Sequence, residues 1–334
     1  MVTEAQQTLT IDRLDRQLVH ALVIDGRASF SRLAEVLGAS EQTVARRYRR
    51  LRDAGALRVV VLPDPRRFAH YWIVRVHVLP QHAVAFAEAI ARRPDVAWVG
   101  LIAGATEVTF AARARTTEER DALLLERLPH VRQVLGMTTA AVLHTFAGDP
   151  ETEWRALDDP LDAAQVAALA SGRRRGGSGP DPTPQDEPLL AALARDGRTS
   201  YAALAAATGD TEARVARRVE TLLEDGAVIV DVEIANVLFG YAATTWLWLT
   251  VAPSALDAVG RQVMAHPEVA FVGATSGPAN LAAAVTTRDT AALYAYLTER
   301  IGAISAVQAV EVAPILRRFK QAGTLLHGGR LTTA

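Results

Sequence analysis

The 334-residue sequence has no cysteine and only one lysine, Lys320. The absence of cysteine excludes disulfide bonds, thiolate metal sites and a cysteine nucleophile. No apolar run reaches the roughly 18 residues of a membrane-spanning helix, and the N-terminus lacks the basic and then apolar segments of a signal peptide. We therefore expect a cytoplasmic protein. Its formal net charge of −1 gives no overall attraction to nucleic acid, so such binding would need a local basic patch.

The chain contains an internal repeat. Residues 26–57 align with residues 197–228 at a constant offset of 171, and comparing the printed letters gives 14 identical positions among 32. Further on, residues 94–100 (PDVAWVG) recur as residues 267–273 (PEVAFVG), with the offset grown to 173. Such self-similarity predicts two copies of one two-part module.

A segment rich in Gly, Pro and Ser separates the two copies. Residues 171–188 read SGRRRGGSGPDPTPQDEP, which is typical of a flexible, partly extended linker, and a short helix is predicted just before it over residues 161–170. The run Arg173, Arg174 and Arg175 is interpreted as a solvated feature of this linker; the alternative is a mobile basic arm that adds attraction to DNA phosphates. The predicted boundaries are 10–66 and 68–148 for the first module, 149–184 for the linker, and 185–236 and 240–322 for the second module.

The first part of each module has the pattern of a helix-turn-helix. Apolar residues at helical spacing follow Asp12, a second short helix follows Ser29 and ends at Gly38, and a third begins after Ser40. A strand of β-branched residues over 57–62 is then expected to form a wing. The second part reads strand, helix, strand, strand, helix, strand. We therefore predict an α+β protein with two winged helix-turn-helix domains and two ferredoxin-like βαββαβ domains in tandem.

The third helix carries a basic stripe beside its buried face. Arginines at such positions can reach guanine edges and neutralise phosphates in the major groove, although a charged, solvated helix face is the plainer interpretation. Counting residues 40–54 gives five Arg against Glu41 and Asp53, a charge of +3, whereas residues 211–225 have three Arg against four acids, a charge of −1. The first copy should therefore dominate DNA affinity. The residues predicted to contact DNA are Ser40, Gln42, Thr43, Arg46, Arg47, Arg49, Arg50, Arg214, Arg217 and Arg218.

Several of these features occur together in one known family. They are Asp15 with Leu18, the pair Gly26–Arg27, Leu33–Ala34, the stretch from Ser40 to Arg47, and Leu51 with Gly55 before the βαββαβ region. The combination resembles the Lrp/AsnC family of bacterial transcription factors, and it covers both halves. The resemblance implies DNA binding by the N-terminal part, and oligomerisation and binding of an amino acid or related metabolite by the C-terminal part. Family members usually carry one copy and dimerise, so the fused chain is expected to act as a covalent pseudo-dimer and to form homo-oligomers through the βαββαβ domains.

The first strand of each βαββαβ domain suggests how the copies meet. Val74, Val76 and Val78 align with apolar residues on one face, while Arg75 on the other face aligns with Trp248. Because exposed tryptophans at positions 246 and 248 are unexpected in a soluble chain, we hypothesise that the two sheets pack together within the chain. Arg75 is then expected to form a cation–π contact with one of these tryptophans.

The resemblance also indicates an effector site at the turn between the second and third strands. Glu107 could pair with a ligand ammonium while backbone N–H groups bind a carboxylate. The alternative is that the glycines at 104 and 277 only permit a tight hairpin. Asn280 carries no charge at the equivalent position, which weakens the transfer of amino-acid specificity. The predicted effector residues are Gly104, Ala105, Thr106, Glu107, Thr275, Ser276, Gly277 and Asn280.

Two other functions are kept open. Siroheme decarboxylases resemble the same architecture, and an enzyme of that kind would use His and Arg side chains such as His70, Arg75 and His77 against tetrapyrrole carboxylates. A metabolite-binding module without DNA contact is the third possibility. No phosphate-binding glycine loop, serine elbow, paired-carboxylate motif or metal-ligand spacing occurs, so no catalytic residue, metal or cofactor is predicted.

Overall fold

A computed structural model describes residues 9–146, 158–170 and 179–332. The arginine run at positions 173–175, and the predicted boundary between residues 148 and 149, lie outside these ranges. None of the helices in the described part of the chain combines the length and the apolar character of a membrane span.

Three helices and one strand form the first helix-turn-helix unit, as predicted. Asp12 caps the first helix by accepting a hydrogen bond from the backbone N–H of Asp15, and Ser40 caps the third in the same way through Thr43. Gly38 ends the second helix in the left-handed conformation, with φ of +61°, which glycine adopts at no steric cost. The elements are α1 (Arg13–Ile24), α2 (Phe30–Leu37), α3 (Glu41–Asp53) and β1 (Leu57–Pro63).

The first βαββαβ domain follows directly, and its elements match the predicted order. The helix after the third of these strands continues past its α-helical part as a π-helical turn over Ala122–Arg127. The elements are β2 (His70–Val78), α4 (Pro80–Ala91), β3 (Val96–Ile102), β4 (Glu107–Ala114), α5 (Thr117–Asp121) and β5 (Val134–Thr145).

The short helix predicted over residues 161–170, just before the linker, is present. This helix, α6 (Ala163–Ala170), packs on the first helix-turn-helix unit, where the side-chain amide of Gln165 donates to the carbonyl oxygen of Val36. The expectation of extended chain up to residue 188 is wrong at its end, because helical structure begins with a turn at Pro184–Asp186. The side chain of Asp186 accepts a hydrogen bond from the backbone N–H of Thr183 and so caps this turn. Pro188 is accommodated in the first turn of the next helix, where its missing N–H costs nothing.

The second copy repeats both parts of the first. Its helix-turn-helix unit comprises α7 (Glu187–Arg195), α8 (Tyr201–Thr208), α9 (Glu212–Glu224) and β6 (Val228–Ile234). Its βαββαβ domain comprises β7 (Ala243–Val251), α10 (Leu256–Met264), β8 (Val269–Thr275), β9 (Leu281–Thr287), α11 (Thr290–Ala295) and β10 (Val307–Pro314). Three short strands end the described chain, namely β11 (Arg317–Arg318), β12 (Leu326–His327) and β13 (Arg330–Leu331).

The two helix-turn-helix units share one hydrophobic core. Strand β1 pairs antiparallel with β6 to form a two-stranded ribbon, with Leu57 opposite Ile234. The strand expected to form a wing is therefore present, but it pairs with its own counterpart from the other copy. The guanidinium of Arg198 donates to the carbonyl oxygen of Gly26 at 2.6 Å, and Arg27 makes the equivalent bond to Gly197. These reciprocal contacts are those expected at a pseudo-twofold axis.

The βαββαβ domains also join. In the described residues, nine strands form one sheet in the order β10-β7-β9-β8-β5-β2-β4-β3-β11, with the halves meeting where β5 pairs with β8. Apolar residues of both halves, including Ile73, Trp246 and Trp248, form a shared cluster between them. The guanidinium carbon of Arg75 lies 5.0 Å from the centre of a Trp248 ring. The predicted packing of the two copies and its cation–π contact are thus confirmed.

The last described segment, residues 315–332, crosses from the second half back to the first. Strand β11 pairs with β3, and the side-chain amide of Gln321 donates to the carbonyl oxygen of Ile234 in the ribbon. Near its end, the backbone N–H of Leu331 donates to the carbonyl oxygen of Gly55. This segment therefore ties the ribbon and the first helix-turn-helix unit to the first βαββαβ domain.

Candidate functional site

Helix α3 presents one apolar face and one polar face. Val44, Tyr48 and Leu51 are each at most 3% exposed and pack into the shared core. Their i, i+4, i+7 spacing places them on one stripe, so the remaining residues are left for contacts outside the core. Only some of the predicted DNA-contacting residues are available there, because others have partners within the chain.

Arg47 and Arg50 form ion pairs with the start of α1. A terminal nitrogen of Arg47 lies 2.7 Å from a carboxylate oxygen of Asp12 and 3.0 Å from one of Asp15, while Arg50 lies 2.5 Å from the other oxygen of Asp15. Burial alone would lower the pKa of Arg47, but the hydrogen bonds to the two carboxylates outweigh it and raise that pKa. Asp15 itself is fully buried. These two arginines therefore hold α3 against α1.

The second copy repeats this contact at the same offset of 171. Arg218, the counterpart of Arg47, makes two hydrogen bonds of 2.6 Å with the carboxylate of Asp186, the counterpart of Asp15. The hydrogen bond from Arg218 lowers the pKa of Asp186 to about 2. Inspection of the basic stripe alone missed these partners, although the repeat of Asp15 at position 186 signals them.

The outer part of the stripe is open. Gln42, Arg46 and Arg49 are exposed, and the Arg46 side chain makes no hydrogen bond or ion pair with any residue in the described ranges. Its counterpart Arg217 is likewise exposed and has no such side-chain partner within those ranges. Arg214 is 78% exposed and lies 3.4 Å from Asp210. Among the remaining predicted residues, Ser40 caps α3 and donates to the hydroxyl of Thr43.

At the turn between β3 and β4, the carboxylate of Glu107 already has a partner. It is buried, with 1% exposure, and accepts hydrogen bonds of 2.5 and 3.2 Å from Arg75. Arg75 also donates to Glu311 of the second half, at 2.5 and 3.0 Å. Burial lowers the pKa of Arg75, but the bonds to Glu311 and Glu107 dominate and raise it. The carboxylate predicted to bind an effector ammonium thus takes part in a charged bridge between the two halves.

The other residues predicted to bind an effector lie at or beside the two hairpin turns, and most of their side chains have partners within the chain. Gly104 and Ala105 have φ of +66° and +69°, and Gly277 has +103°. The side chain of Asn280 pairs with both backbone groups of Val251. Thr275 donates to the carbonyl oxygen of Ala279, Ser276 accepts from the N–H of Ala141, and Thr106 is exposed.

The histidines considered for an enzyme do not converge on one pocket. His70 lies 3.3 Å from the hydroxyl of Thr117, and His77 lies 3.6 Å from the carboxylate of Glu107. Within the described ranges, no group of three or more His, Asp and Glu side chains is arranged to hold a metal ion.

Comparison with known proteins matches both parts of both copies. The AsnC-type helix-turn-helix domain matches residues 11–52 and 184–223, and the Lrp/AsnC ligand binding domain matches residues 72–152 and 244–325. Together these matches cover most of the chain. The chain belongs to the Lrp/AsnC family. As an HTH-type transcriptional regulator of this family, it differs from its single-copy relatives in carrying each domain twice.

Individual relatives of this Lrp/AsnC chain match one copy at a time. An uncharacterized HTH-type transcriptional regulator of Pyrococcus furiosus is 26% identical over 133 residues, covering 39% of this chain and 90% of the relative. The HTH-type transcriptional regulator AldR of Mycolicibacterium smegmatis is 28% identical over 144 residues, covering 41% of this chain and 84% of AldR. Both coverages are those expected when a single-copy protein is aligned with a tandem one.

A solved structure is similar over nearly the whole tandem chain. The siroheme decarboxylase NirDL aligns with a TM-score of 0.60 and 15% sequence identity, covering 93% of each chain. At this identity the likeness concerns the fold. The paired arrangement of both domain types is therefore shared with a protein of different named activity.

Proposed function

We propose that this chain is a sequence-specific DNA-binding regulator whose affinity for DNA comes mainly from α3 of the first copy. The observation that carries the proposal is the exposed edge of α3, where Gln42, Arg46 and Arg49 face away from the core. Such side chains read base edges and neutralise phosphates when a helix enters the major groove. Because its relatives are regulators that act on DNA, we propose that the protein works in the cytoplasm as a covalent pseudo-dimer.

The ion pairs divide the predicted contacts into two roles. Arg47 and Arg218 are proposed to position the two recognition helices, since their guanidinium groups are held by Asp15 and Asp186. Arg50 retains 40% side-chain exposure and is proposed to reach a phosphate while paired. In the second copy, Arg214 and Arg217 are proposed to add weaker contacts.

Selection of bound genomic fragments tests DNA binding most directly. The purified chain is mixed with sheared DNA from its source genome, and retained fragments are sequenced at several salt concentrations. We expect a small set of enriched sites whose retention falls steeply with salt, as phosphate contacts require. Retention without enrichment would contradict sequence-specific binding, and no retention at low salt would favour a metabolite-binding module.

We also propose that the chain is not an enzyme. The likeness to NirDL makes a siroheme decarboxylase the specific second candidate. The test is to add siroheme to the purified protein, follow the Soret absorption band, and measure carbon dioxide release. No spectral change and no carbon dioxide are expected. A shifted Soret band together with carbon dioxide release would replace the regulator proposal with an enzymatic one.

The response to a small metabolite and further assembly are part of the same proposal. Backbone N–H groups at the turns around Gly104 and Gly277 are proposed to donate hydrogen bonds to the carboxylate of an amino-acid-like effector, and whole chains are proposed to associate through the βαββαβ domains. Light scattering after size exclusion tests assembly, since a mass of 35.8 kDa would mean a monomer and contradict it. Glu107→Gln tests whether the carboxylate beside the first turn also takes part: weaker binding of a screened amino acid would support its role, and unchanged binding would leave the effector to the backbone N–H groups alone.

A further inference from the structure

A cavity of about 190 Å³ lies where the DNA-binding and ligand-binding domain types meet. Its roof is the β1–β6 ribbon, and its floor is formed by strands of both βαββαβ domains. Pockets at such junctions between domains are preferred places for ligands. It is separate from the turns around Gly104 and Gly277, which do not line it.

The cavity lies on the pseudo-twofold axis of the fused chain. Several of its lining residues are counterparts of each other at the offset of 173, which places both members of a pair on its wall. Three such pairs carry the argument, namely Trp98 with Phe271, Arg113 with Thr286, and Arg318 with Thr145.

The residues that the two halves contribute to the cavity wall differ in charge. The counterpart of each arginine in the other half is a threonine. In a symmetric homodimer each arginine would occur twice around the axis, whereas here Arg113 and Arg318 each occur once. Both arginines belong to the same side, because β4 and β11 flank β3, which carries Trp98. The fusion has therefore allowed a cationic end to form on one side of an axial cavity.

The two guanidinium groups at this end keep N–H groups without a hydrogen-bond partner in the described part of the chain. Arg318 is half-buried, and its side chain makes no hydrogen bond or ion pair with residues of the described ranges; its closest aromatic contact is Trp98, at 5.7 Å. Burial lowers the pKa of Arg318 to about 10. Arg113 donates to the carbonyl oxygen of Ala322, while its Nε is buried without a partner. Guanidinium groups in this condition favour an anion such as a carboxylate.

The rest of the lining supplies apolar surface and three carboxylates, two of which, Asp231 and Glu233, lie close enough to Arg113 to favour its charged form. Trp246 and Phe271 lie edge to face, with ring centres 5.9 Å apart, and both line the cavity. The ribbon contributes Asp231 and Glu233, and Asp64 directly follows its strand β1. One oxygen of Glu233 accepts from the backbone N–H groups of residues 323 and 324, and the other is buried without a partner in the described part of the chain.

From this arrangement we propose that the cavity binds a small aromatic carboxylate, with its carboxylate at Arg318 and Arg113 and its ring against Trp246 and Phe271. An ammonium group on such a ligand would face Glu233. A bound ligand would contact strands that are continuous with both recognition helices, because β1 follows α3 and β6 follows α9 in the chain. Binding would therefore affect the position of both helix-turn-helix units. The inference rests on the proposed response to an effector, but it concerns a different place in the fold.

Strand β3 shows why the site can couple to the DNA-binding part. Trp98 has a φ of +56°, a left-handed conformation that non-glycine residues rarely adopt, and its backbone N–H donates to the carbonyl oxygen of Gln321. Gln321 in turn donates to the ribbon at Ile234. A ligand beside Trp98 therefore lies next to a chain of hydrogen bonds that leads to the roof.

The test is calorimetric titration of the full chain with phenylpyruvate, phenylalanine and phenethylamine, which share a ring and differ in charge. The first two should bind and phenethylamine should not. Arg318→Gln should weaken binding about tenfold or more, as expected for loss of a charge-assisted hydrogen bond. The matched control Arg317→Gln, on the same short strand but exposed, should change it less than about twofold.

Binding of phenethylamine as tight as that of the two carboxylates would overturn the proposal. Tighter binding of phenylalanine would assign an aromatic amino acid, and tighter binding of phenylpyruvate would assign an oxo acid. No binding at about millimolar ligand, or equal effects of Arg318→Gln and Arg317→Gln, would overturn the proposal. Loss of binding in Glu107→Gln with Arg318→Gln unaffected would assign the ligand to the β3–β4 turn instead. If Arg318→Gln does not fold, hydrogen exchange of the native chain is measured with and without ligand instead. The ligand should protect β3 and β11 from exchange, and the absence of protection would overturn the proposal. DNA is not used, so failure of DNA binding would leave the result interpretable.

Discussion

Asp186 provides a quantitative test of how the second recognition helix is held. Its carboxyl is 5% exposed, and its pKa is lowered from 3.8 to about 2, chiefly by the hydrogen bond from Arg218. A difference of nearly two pKa units corresponds to about 2 kcal/mol of stability. Because the pKa is depressed in the folded state, this stability is present above pH 3.8 and is lost as the pH falls toward 2. Asp186→Asn should therefore lower the free energy of unfolding by about 2 kcal/mol at pH 7.

Urea unfolding at pH 7 and near pH 2, followed by circular dichroism, measures this effect. The difference between the native chain and Asp186→Asn should shrink at the lower pH. Asp257→Asn is the control, because Asp257 pairs with Arg261 on a helix surface and both side chains are about 70% exposed. That pair is fully exposed to solvent screening, so its removal should have a much smaller effect than Asp186→Asn. An Asp186→Asn effect that matches the control, or one that is equally large at both pH values, would refute the reasoning.

Two further changes test the contacts between the copies. Gly197→Ala should lower the free energy of unfolding by about 1–3 kcal/mol, because its new methyl group would lie 2.9 Å from the backbone of Val60. The control is Gly136→Ala, whose methyl group would meet no atom within 4 Å and should change the free energy of unfolding by less than about 0.5 kcal/mol. Arg75→Met should destabilise the chain by about 3 kcal/mol, because it leaves Glu107 buried without its partner. Urea midpoints of the variants check both, and Gly197→Ala with unchanged stability, or a neutral Arg75→Met, would contradict the described contacts.

Local signals in the sequence predicted most helices and strands. Asp12, Ser29 and Ser40 cap helices where their side chains indicated, and Gly38 ends a helix at a left-handed position. These features depend on residues within a few positions of each other, so a sequence contains them directly. The aligned Arg75 and Trp248 also predicted that the copies meet, because the repeat supplied a long-range comparison.

Partners far apart in the chain were harder to foresee. The pairing of β1 with β6, and that of β11 with β3, follow from how the two copies assemble and not from either strand alone. The spacing of the basic stripe indicates a set of equivalent arginines, whereas the structure has Arg47 facing the buried carboxylate of Asp15. The cavity was not predicted, since its arginines lie 205 positions apart (318 − 113) and neither stands in a recognisable motif.

The proposed DNA-binding role is tested most directly by comparing Arg46→Ala with its counterpart Arg217→Ala. Neither side chain has a hydrogen-bonding or ionic partner in the described ranges, so both variants should fold and unfold like the native chain. Binding to a selected genomic fragment is followed by fluorescence anisotropy across a salt series. We expect Arg46→Ala to weaken binding about tenfold or more and Arg217→Ala to weaken it less than about threefold. Equal losses, or no loss in either variant, would contradict the claim that α3 of the first copy dominates DNA binding.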